Sequence, residues 1–310
     1  MKRQTQIRCA VIAGILASMD LANAQAAGNS QQKVRVVPRN VQTVPRLRPT
    51  PGPEDRVSLD LEGNIVAEGA RGPDGRPYTF RIERRVHVSP RVEASAQADG
   101  MSIDYTYRVT NGPAGKQWIQ VFWVDTYGAV ERTSAPDFWM SSHRNVDPQL
   151  TRVYFGRNAK DHDERGRLTT GTTASGFHLR SNWLPGVVIF RAIGFKAAGA
   201  NSDETMETFP GAMSDWLREE IARQMSQENN SVAVYTIGPK INPAIPILHA
   251  VRAEFLEAIR LPEFSADTGT LAKLATSEDL AAIRQSIRTL AGTAKGLPAE
   301  FYAVMLSNLK

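Results

Sequence analysis

The chain has 310 residues, a formal net charge of +5 at pH 7 and a single cysteine, Cys9. This length allows one large domain or two small ones. The modest charge argues against a nucleic-acid-binding protein, because such domains carry strongly basic surfaces, and a single cysteine excludes a disulfide within the chain.

Residues 1–24 predict a cleavable export signal. A cationic start precedes an apolar run over residues 9–19, and Ala22-Asn23-Ala24 matches a signal-peptidase site. The apolar run is too short to span a bilayer, which takes about 20 residues. Cleavage leaves a net charge of +3, no cysteine and no later membrane-spanning run. We therefore expect a periplasmic or extracellular protein; the alternative is a short buried helix of a cytosolic domain.

Residues 25–56 predict a basic, proline-rich linker. Six cations, five prolines and only two acids lie between Gln31 and Arg56. Proline fixes φ and removes a backbone donor, so this segment is expected to be extended. It acts either as a spacer or as an arm that adheres to anionic polymers of the cell envelope.

Residues 57–240 show mainly the two-residue period of β-strands. From Met101 to Val109, apolar or aromatic residues alternate with polar ones, which predicts one buried and one solvated face. A turn is predicted at Asn111-Gly112-Pro113, and a more deeply buried strand at Trp118–Val124. These signals predict an antiparallel β-sandwich. The strand–loop–strand passage resembles the immunoglobulin-like modules of many exported proteins, and it carries no motif that identifies a family.

Two regions show the helical period instead. Leu217, Ile221 and Met225 form one apolar stripe, which predicts a helix over residues 214–227 inserted in the β region. Residues 241–310 predict three amphipathic helices, and hence a helical C-terminal unit. Each helix must bury its stripe against the other helices, the sandwich or a partner. The predicted fold class is α+β: an immunoglobulin-like β-sandwich with an inserted helix, followed by the helical unit.

The densest group of possible metal ligands is Asp161, His162, Asp163 and Glu164. Carboxylates and imidazole bind hard or borderline cations, so these four residues are the predicted metal ligands. The alternative is a polar surface loop, because the spacing fits no standard metal site. Four cations that would offset the acidic charge flank the group: Arg157, Lys160, Arg165 and Arg167.

Trp139 and Trp183 are the candidate ligand-binding residues. Both lie in predicted loops of the β region, where an exposed ring can stack on the C–H face of a sugar. The alternative is that both rings are buried, because tryptophan is highly buried on average.

The sequence contains no His-Glu-x-x-His, no Gly-x-Ser-x-Gly and no phosphate-binding loop motif. It therefore favours an exported, non-catalytic protein that binds a cell-envelope protein or a polysaccharide through the sandwich, and it predicts no cofactor. Two alternatives stay open. One is a carbohydrate-binding module that uses the two tryptophans, and the other is a hydrolase of an unrecognised type with the acidic group at its site.

Overall fold

The computed structural model describes residues 49–157, 164–195 and 211–309. Residues 51–310 belong to one compact unit. In the described ranges, buried apolar side chains form three cores: one in a small sheet, one between two larger sheets and one among C-terminal helices. No helix in these ranges is long and apolar enough to cross a membrane.

The elements of the described ranges are numbered in chain order. The strands are β1 (Arg56–Leu59), β2 (Ile65–Arg71), β3 (Pro77–Ile82), β4 (Pro90–Asp99), β5 (Ser102–Asn111), β6 (Ile119–Thr126), β7 (Arg132–Ser134), β8 (Trp139–Asn145), β9 (Thr151–Arg157), β10 (Thr173–Ser181), β11 (Leu184–Gly194) and β12 (Val232–Ile241). The helices are α1 (Asp215–Gln224), α2 (Ile247–Ala258), α3 (Thr268–Thr276), α4 (Leu280–Thr293) and α5 (Leu297–Asn308), with a 3₁₀ turn at Pro262–Phe264.

Strands β4 to β12 form the sandwich. One sheet has the order β4-β5-β10-β7 and the other has the order β12-β11-β6-β9-β8, with antiparallel pairing throughout. Strands β4, β5, β6, β10, β11 and β12 occupy the places of strands A, B, C, E, F and G in an immunoglobulin domain. The predicted immunoglobulin-like sandwich is therefore confirmed. The remaining strands β7, β8 and β9 occupy the places of strands D, C″ and C′. An immunoglobulin variable domain passes through these three places in the opposite order along the chain, C′, C″ and then D.

Aromatic side chains fill the space between the two sheets. The ring of Phe122 on β6 lies 4.7–5.0 Å from the rings of Phe155, Phe177 and Phe190, so both sheets contribute to one aromatic centre. Such ring pairs each contribute about 0.5–1.5 kcal/mol beyond the burial of their area. The predicted alternation along β5 holds from residue 103 onward. Met101 is the exception, because it lies in the β4–β5 turn and is 93% exposed.

Strands β1, β2 and β3 form a separate sheet, so the sandwich begins at Pro90 rather than at Val57. Helix α1 packs on this small sheet and buries Leu217 and Ile221 in its core. Ser214 is the N-cap of α1, and its Oγ accepts a hydrogen bond from Leu217 N at 3.1 Å. The inserted helix is confirmed. The two-residue period predicted the strands, but periodicity does not determine which strands share a sheet.

The C-terminal helices pack against one another and against strands β11 and β12. Phe255 and Phe301 share a core with Val187, Ile237 and Ile241 of the sandwich. The helical unit is therefore confirmed, and its apolar stripes are buried by other helices and by the sandwich. Helix α3 was not among the three predicted helices, since its nine residues present a short apolar pattern.

One buried ion pair fastens the helical unit to the sandwich. Glu254 of α2 places Oε1 3.1 Å from Lys240 Nζ on β12, and its Oε2 accepts a hydrogen bond from Val187 N at 3.0 Å. A Cβ atom at Gly186 would lie 2.7 Å from Glu254 Oε2, so a larger residue there would have to displace this carboxylate. Burial raises the pKa of Glu254, and Lys240 partly opposes that effect. Burial alone would lower the pKa of Lys240, but Glu254 and Glu257 raise it overall.

A second carboxyl group at this interface makes stability depend on pH. Glu300 of α5 accepts a hydrogen bond from Ala94 N on the edge strand β4 at 3.3 Å. Burial raises the pKa of Glu300 to about 7 from 4.5, and the nearby charge of Glu93 adds to the effect. The folded state therefore holds a proton that the unfolded chain releases between these two pH values.

We expect the resulting stabilisation to be complete below pH 4.5 and to be lost as the pH rises through 7. Allowing for partial exposure of the carboxyl group, the loss in the free energy of unfolding is about 1–2 kcal/mol. Urea unfolding at pH 5 and pH 8 measures it. Glu300→Gln should show a smaller pH dependence than the wild type, and equal dependence in both proteins would contradict the assignment.

Candidate partner-binding end of the sandwich

At one end of the sandwich, which we call the connection end, strands β5, β7, β9 and β11 end and strands β4, β6, β8, β10 and β12 begin. Two contacts define this end. Trp139 at the start of β8 pairs with Arg157 at the end of β9. The backbone N–H of Phe195, after β11, donates to Trp118 O, just before β6, at 2.8 Å. In immunoglobulin variable domains, the loops at one end of the sandwich form the binding site.

Three arginines at the connection end lie against aromatic rings, and we call this group the arginine cluster: Arg157, Arg165 and Arg167 with Trp118, Phe138 and Phe195. The guanidinium carbons of Arg157 and Arg167 lie 5.6 and 5.7 Å from the Trp118 ring centroid. That of Arg165 lies 5.1 Å from the Phe138 ring. These distances fall within the range of cation–π attraction, which holds the guanidinium groups in place.

The indole of Trp118 is supported by a second ring. Phe195 stacks on it with a centroid distance of 4.4 Å and an interplanar angle of 19°. Trp118 and Phe195 are both half-buried, so this stack reaches the surface of the protein, whereas Arg157 beside it is only 6% exposed. This geometry joins the β5–β6, β9–β10 and β11–β12 connections through side chains.

The backbone beneath Arg165 is strained. Phe138 has a φ of 70°, and it is the one non-glycine residue with positive φ in the ranges that the structure describes. Such a conformation costs about 1–3 kcal/mol. Gly166 lies beside it, where a Cβ atom would approach the Phe138 Cβ to 2.8 Å, so only glycine fits there. Strained residues persist where the surrounding structure holds them, and they concentrate at functional sites.

Trp139 lies at the connection end, but its ring belongs to the sandwich core. Only 7% of Trp139 is exposed, and its ring contacts those of Phe122 and Phe177 at 5.6 and 5.1 Å. Its indole Nε1 donates to Gly166 O at 3.0 Å. The aromatic character that suggested sugar stacking thus serves packing here, and the strand pairing of β8 turns the ring inward.

Trp183 lies at the opposite end of the sandwich, in the turn between β10 and β11. Its backbone O accepts a hydrogen bond from the Tyr105 hydroxyl at 2.6 Å. The half-buried ring lies against Gly128, where a Cβ atom would approach it to 2.2 Å. The neighbouring Tyr127 is 42% exposed. The two candidate tryptophans are therefore not brought together.

The predicted metal group falls largely outside the described residues, since Asp161, His162 and Asp163 are not among them. Glu164 is described, and its Oε1 accepts a hydrogen bond from Arg167 Nη1 at 2.9 Å. In the parts of the chain that the structure describes, no three histidine, cysteine or acidic side chains lie together as metal ligands. Metal binding by this group stays a prediction.

The arginines were visible in the sequence only as cations that flank an acidic group. Their aromatic partners lie elsewhere in the chain: Trp118 precedes β6, and Phe195 follows β11. Trp118 itself has the pattern of a buried strand residue. No local pattern joins it to Arg157, because the contact arises from pairing of β6, β9 and β11.

No protein-family model matches the chain, and no curated protein matches it significantly. Among solved structures, it is similar to an uncharacterised protein from Nocardia farcinica with an immunoglobulin-like fold, at 14% identity and a TM-score of 0.26, over 33% of this chain and 75% of that chain. It is also similar to a cohesin module of a family 33 glycoside hydrolase from Clostridium perfringens, at 6% identity and a TM-score of 0.26, over 50% of this chain and 98% of that chain. The fold assignment rests on the strand order of this chain, and neither likeness assigns a function.

Proposed function

We propose that this chain is an exported, non-catalytic binding protein of the periplasm or extracellular space, and that it holds a protein or polymer partner at the connection end. The observation that carries the proposal is the arginine cluster, in which Arg157 and Arg167 flank the half-buried Trp118. Tryptophan and arginine are the residue types most enriched among those that dominate binding energy at interfaces. The export signal predicted over residues 1–24 supports the location.

The cluster suits an interface because its geometry is already set. The Phe195 ring stacks on Trp118, and Arg157 and Arg167 lie against the same indole, so this arrangement exists before a partner arrives. A preorganised surface loses less conformational entropy on binding, so more of the contact energy appears as affinity. The sandwich provides the rigid support, and the connections present the side chains.

The test compares capture of envelope components by matched variants of the exported protein. Arg167→Gln should reduce capture at least fivefold, because it removes a charged group from the centre of the cluster. Arg108→Gln is the control, since Arg108 is exposed on the outer face of β5 and pairs with Glu93 at 3.3 Å. Equal capture by the two variants would overturn the proposal. The mass of the exported form should correspond to Gln25 as its first residue.

A carbohydrate-binding module is the second candidate, and one observation favours it. At the end opposite the arginine cluster, the half-buried Trp183 ring lies against Gly128, and the residue before this glycine is Tyr127, which is 42% exposed. Two partly exposed aromatic side chains in this region suit stacking on a sugar ring. A change in tryptophan fluorescence on adding glycans, abolished by Trp183→Ala, would support this function. Unchanged fluorescence across a glycan panel would remove it.

A further inference from the structure

We infer that the arginine cluster is an anion-binding site, in which Arg157 and Arg167 receive a carboxylate or phosphate group of the partner beside Trp118. This inference rests on the proposed function, since it names the chemistry that the connection end recognises.

The first observation is the incomplete hydrogen bonding of Arg157. Arg157 is only 6% exposed. Among the described residues, its guanidinium donates a single hydrogen bond, from Nη2 to Arg165 O at 3.1 Å. Its buried Nε has no acceptor in the same ranges. A guanidinium has five N–H donors and a permanent charge, and a single neutral carbonyl leaves both largely uncompensated.

The second observation is that Arg167 already binds a carboxylate. Its Nη1 binds the carboxylate of Glu164 at 2.9 Å, while its buried Nε has no acceptor among the described residues. The Glu164 side chain is 85% exposed, so the pair is screened by water and weak. A carboxylate or phosphate from a partner can therefore take its place with little loss.

Two buried or half-buried arginines elsewhere in the sandwich, Arg152 and Arg180, are matched by carboxylates and provide the contrast. Arg152 binds Asp125 at 2.7 Å and Glu228 at 3.1 Å. Arg180 lies within 3.4 Å of three carboxylates, those of Asp99, Asp104 and Glu131. The described part of the chain thus pairs these guanidinium groups with acids, whereas Arg157 at the connection end lacks such a partner there.

The shared ring explains why an anion would bind at this place. The guanidinium carbons of Arg157 and Arg167 both lie within 6 Å of the Trp118 centroid, so one aromatic ring positions two positive charges. An oxyanion beside this ring compensates their charge and offers several acceptor atoms to the planar donor groups. The stacked Trp118 and Phe195 limit access of water on one side, which strengthens the attraction.

The experiment is a titration of the ¹⁵N-labelled exported protein with inorganic phosphate and, separately, with acetate. We expect saturable shifts of the Trp118 indole N–H signal, assigned by Trp118→Phe, and dissociation constants in the millimolar range. Arg167→Gln should raise the dissociation constant about tenfold, because it removes charge-assisted hydrogen bonds. Arg108→Gln should leave it unchanged. Comparison of the two titrations shows whether phosphate or carboxylate is preferred.

Shifts that do not saturate, or that are equal in wild type and Arg167→Gln, would overturn the inference. Arg157→Lys provides a second test that retains the buried charge and removes the planar donors; unchanged binding in this variant would likewise count against the site. The proposed function is judged separately by partner capture. Capture that depends on Arg167 without binding of either anion would leave the proposed function standing and reject the anion site.

Discussion

Glu254→Ala is expected to lower the free energy of unfolding by about 3–5 kcal/mol, since it leaves the buried ammonium of Lys240 without its main partner. The two side chains are only 5% and 11% exposed, so water does not replace the lost carboxylate. Val187 N also loses its acceptor. Urea unfolding followed by circular dichroism measures the change.

Glu257 provides the matched control for this clasp between the helical unit and the sandwich. It also pairs with Lys240, but its side chain is 55% exposed. Glu257→Ala should therefore cost less than about 1 kcal/mol. The double variant Lys240→Met with Glu254→Leu should recover part of the stability that Glu254→Ala loses, because neither member of this buried ion pair is then charged. If Glu254→Ala is as mild as Glu257→Ala, the pair does not fasten the two parts.

Trp139→Ala is expected to lower the free energy of unfolding by about 3–5 kcal/mol, because it opens a cavity in the sandwich core. The lost ring contacts are those with Phe122 and Phe177. Thermal unfolding measures the effect. A ligand-stacking role would give the opposite result, with little change in stability and a loss of binding.

Trp139→Phe separates packing from hydrogen bonding at this position. Phenylalanine keeps an aromatic ring in the core but cannot donate to Gly166 O. The expected loss is smaller than for alanine and includes about 1 kcal/mol for the hydrogen bond. Trp183→Ala removes a half-buried ring at the other end, and it should cost less than Trp139→Ala. Equal losses for the two alanine variants would place Trp183 in the core as well.

Much of the fold follows from local patterns. The alternation that ends at Val109 predicts β5, since a strand that covers a core must place every second residue inward. Ser214 with the stripe Leu217 and Ile221 predicts α1, because capping and periodicity agree within a few residues. At the start of α4, Asp279 is the N-cap, and its side chain accepts hydrogen bonds from the backbone N–H groups of Ala281 and Ala282.

The candidate site could be predicted only in fragments. The sequence shows the cations that flank the acidic group, including Arg157 and Arg167. It does not show that these two arginines lie against Trp118, because a cation beside acids is ordinarily an ion-pair partner. Trp139 and Trp183 look alike in the sequence, because each is a tryptophan in a predicted loop of the β region. In the structure, Trp139 lies in the core and Trp183 is half-buried. Exposure of a single aromatic residue depends on which strand it begins and on what lies across from it, and neither is a local property.

The sequence by itself determined the class of the protein: a β-rich region, a helix within it and a helical C-terminal unit, each set by side-chain periodicity over a few residues. Tertiary structure alone decided that β1–β3 leave the sandwich, that α1 covers them, and that Trp118 meets Arg157 and Arg167. The physical reason is that periodicity records which face of an element is apolar. The partner of that face is selected by packing and strand pairing among residues that are distant in the chain.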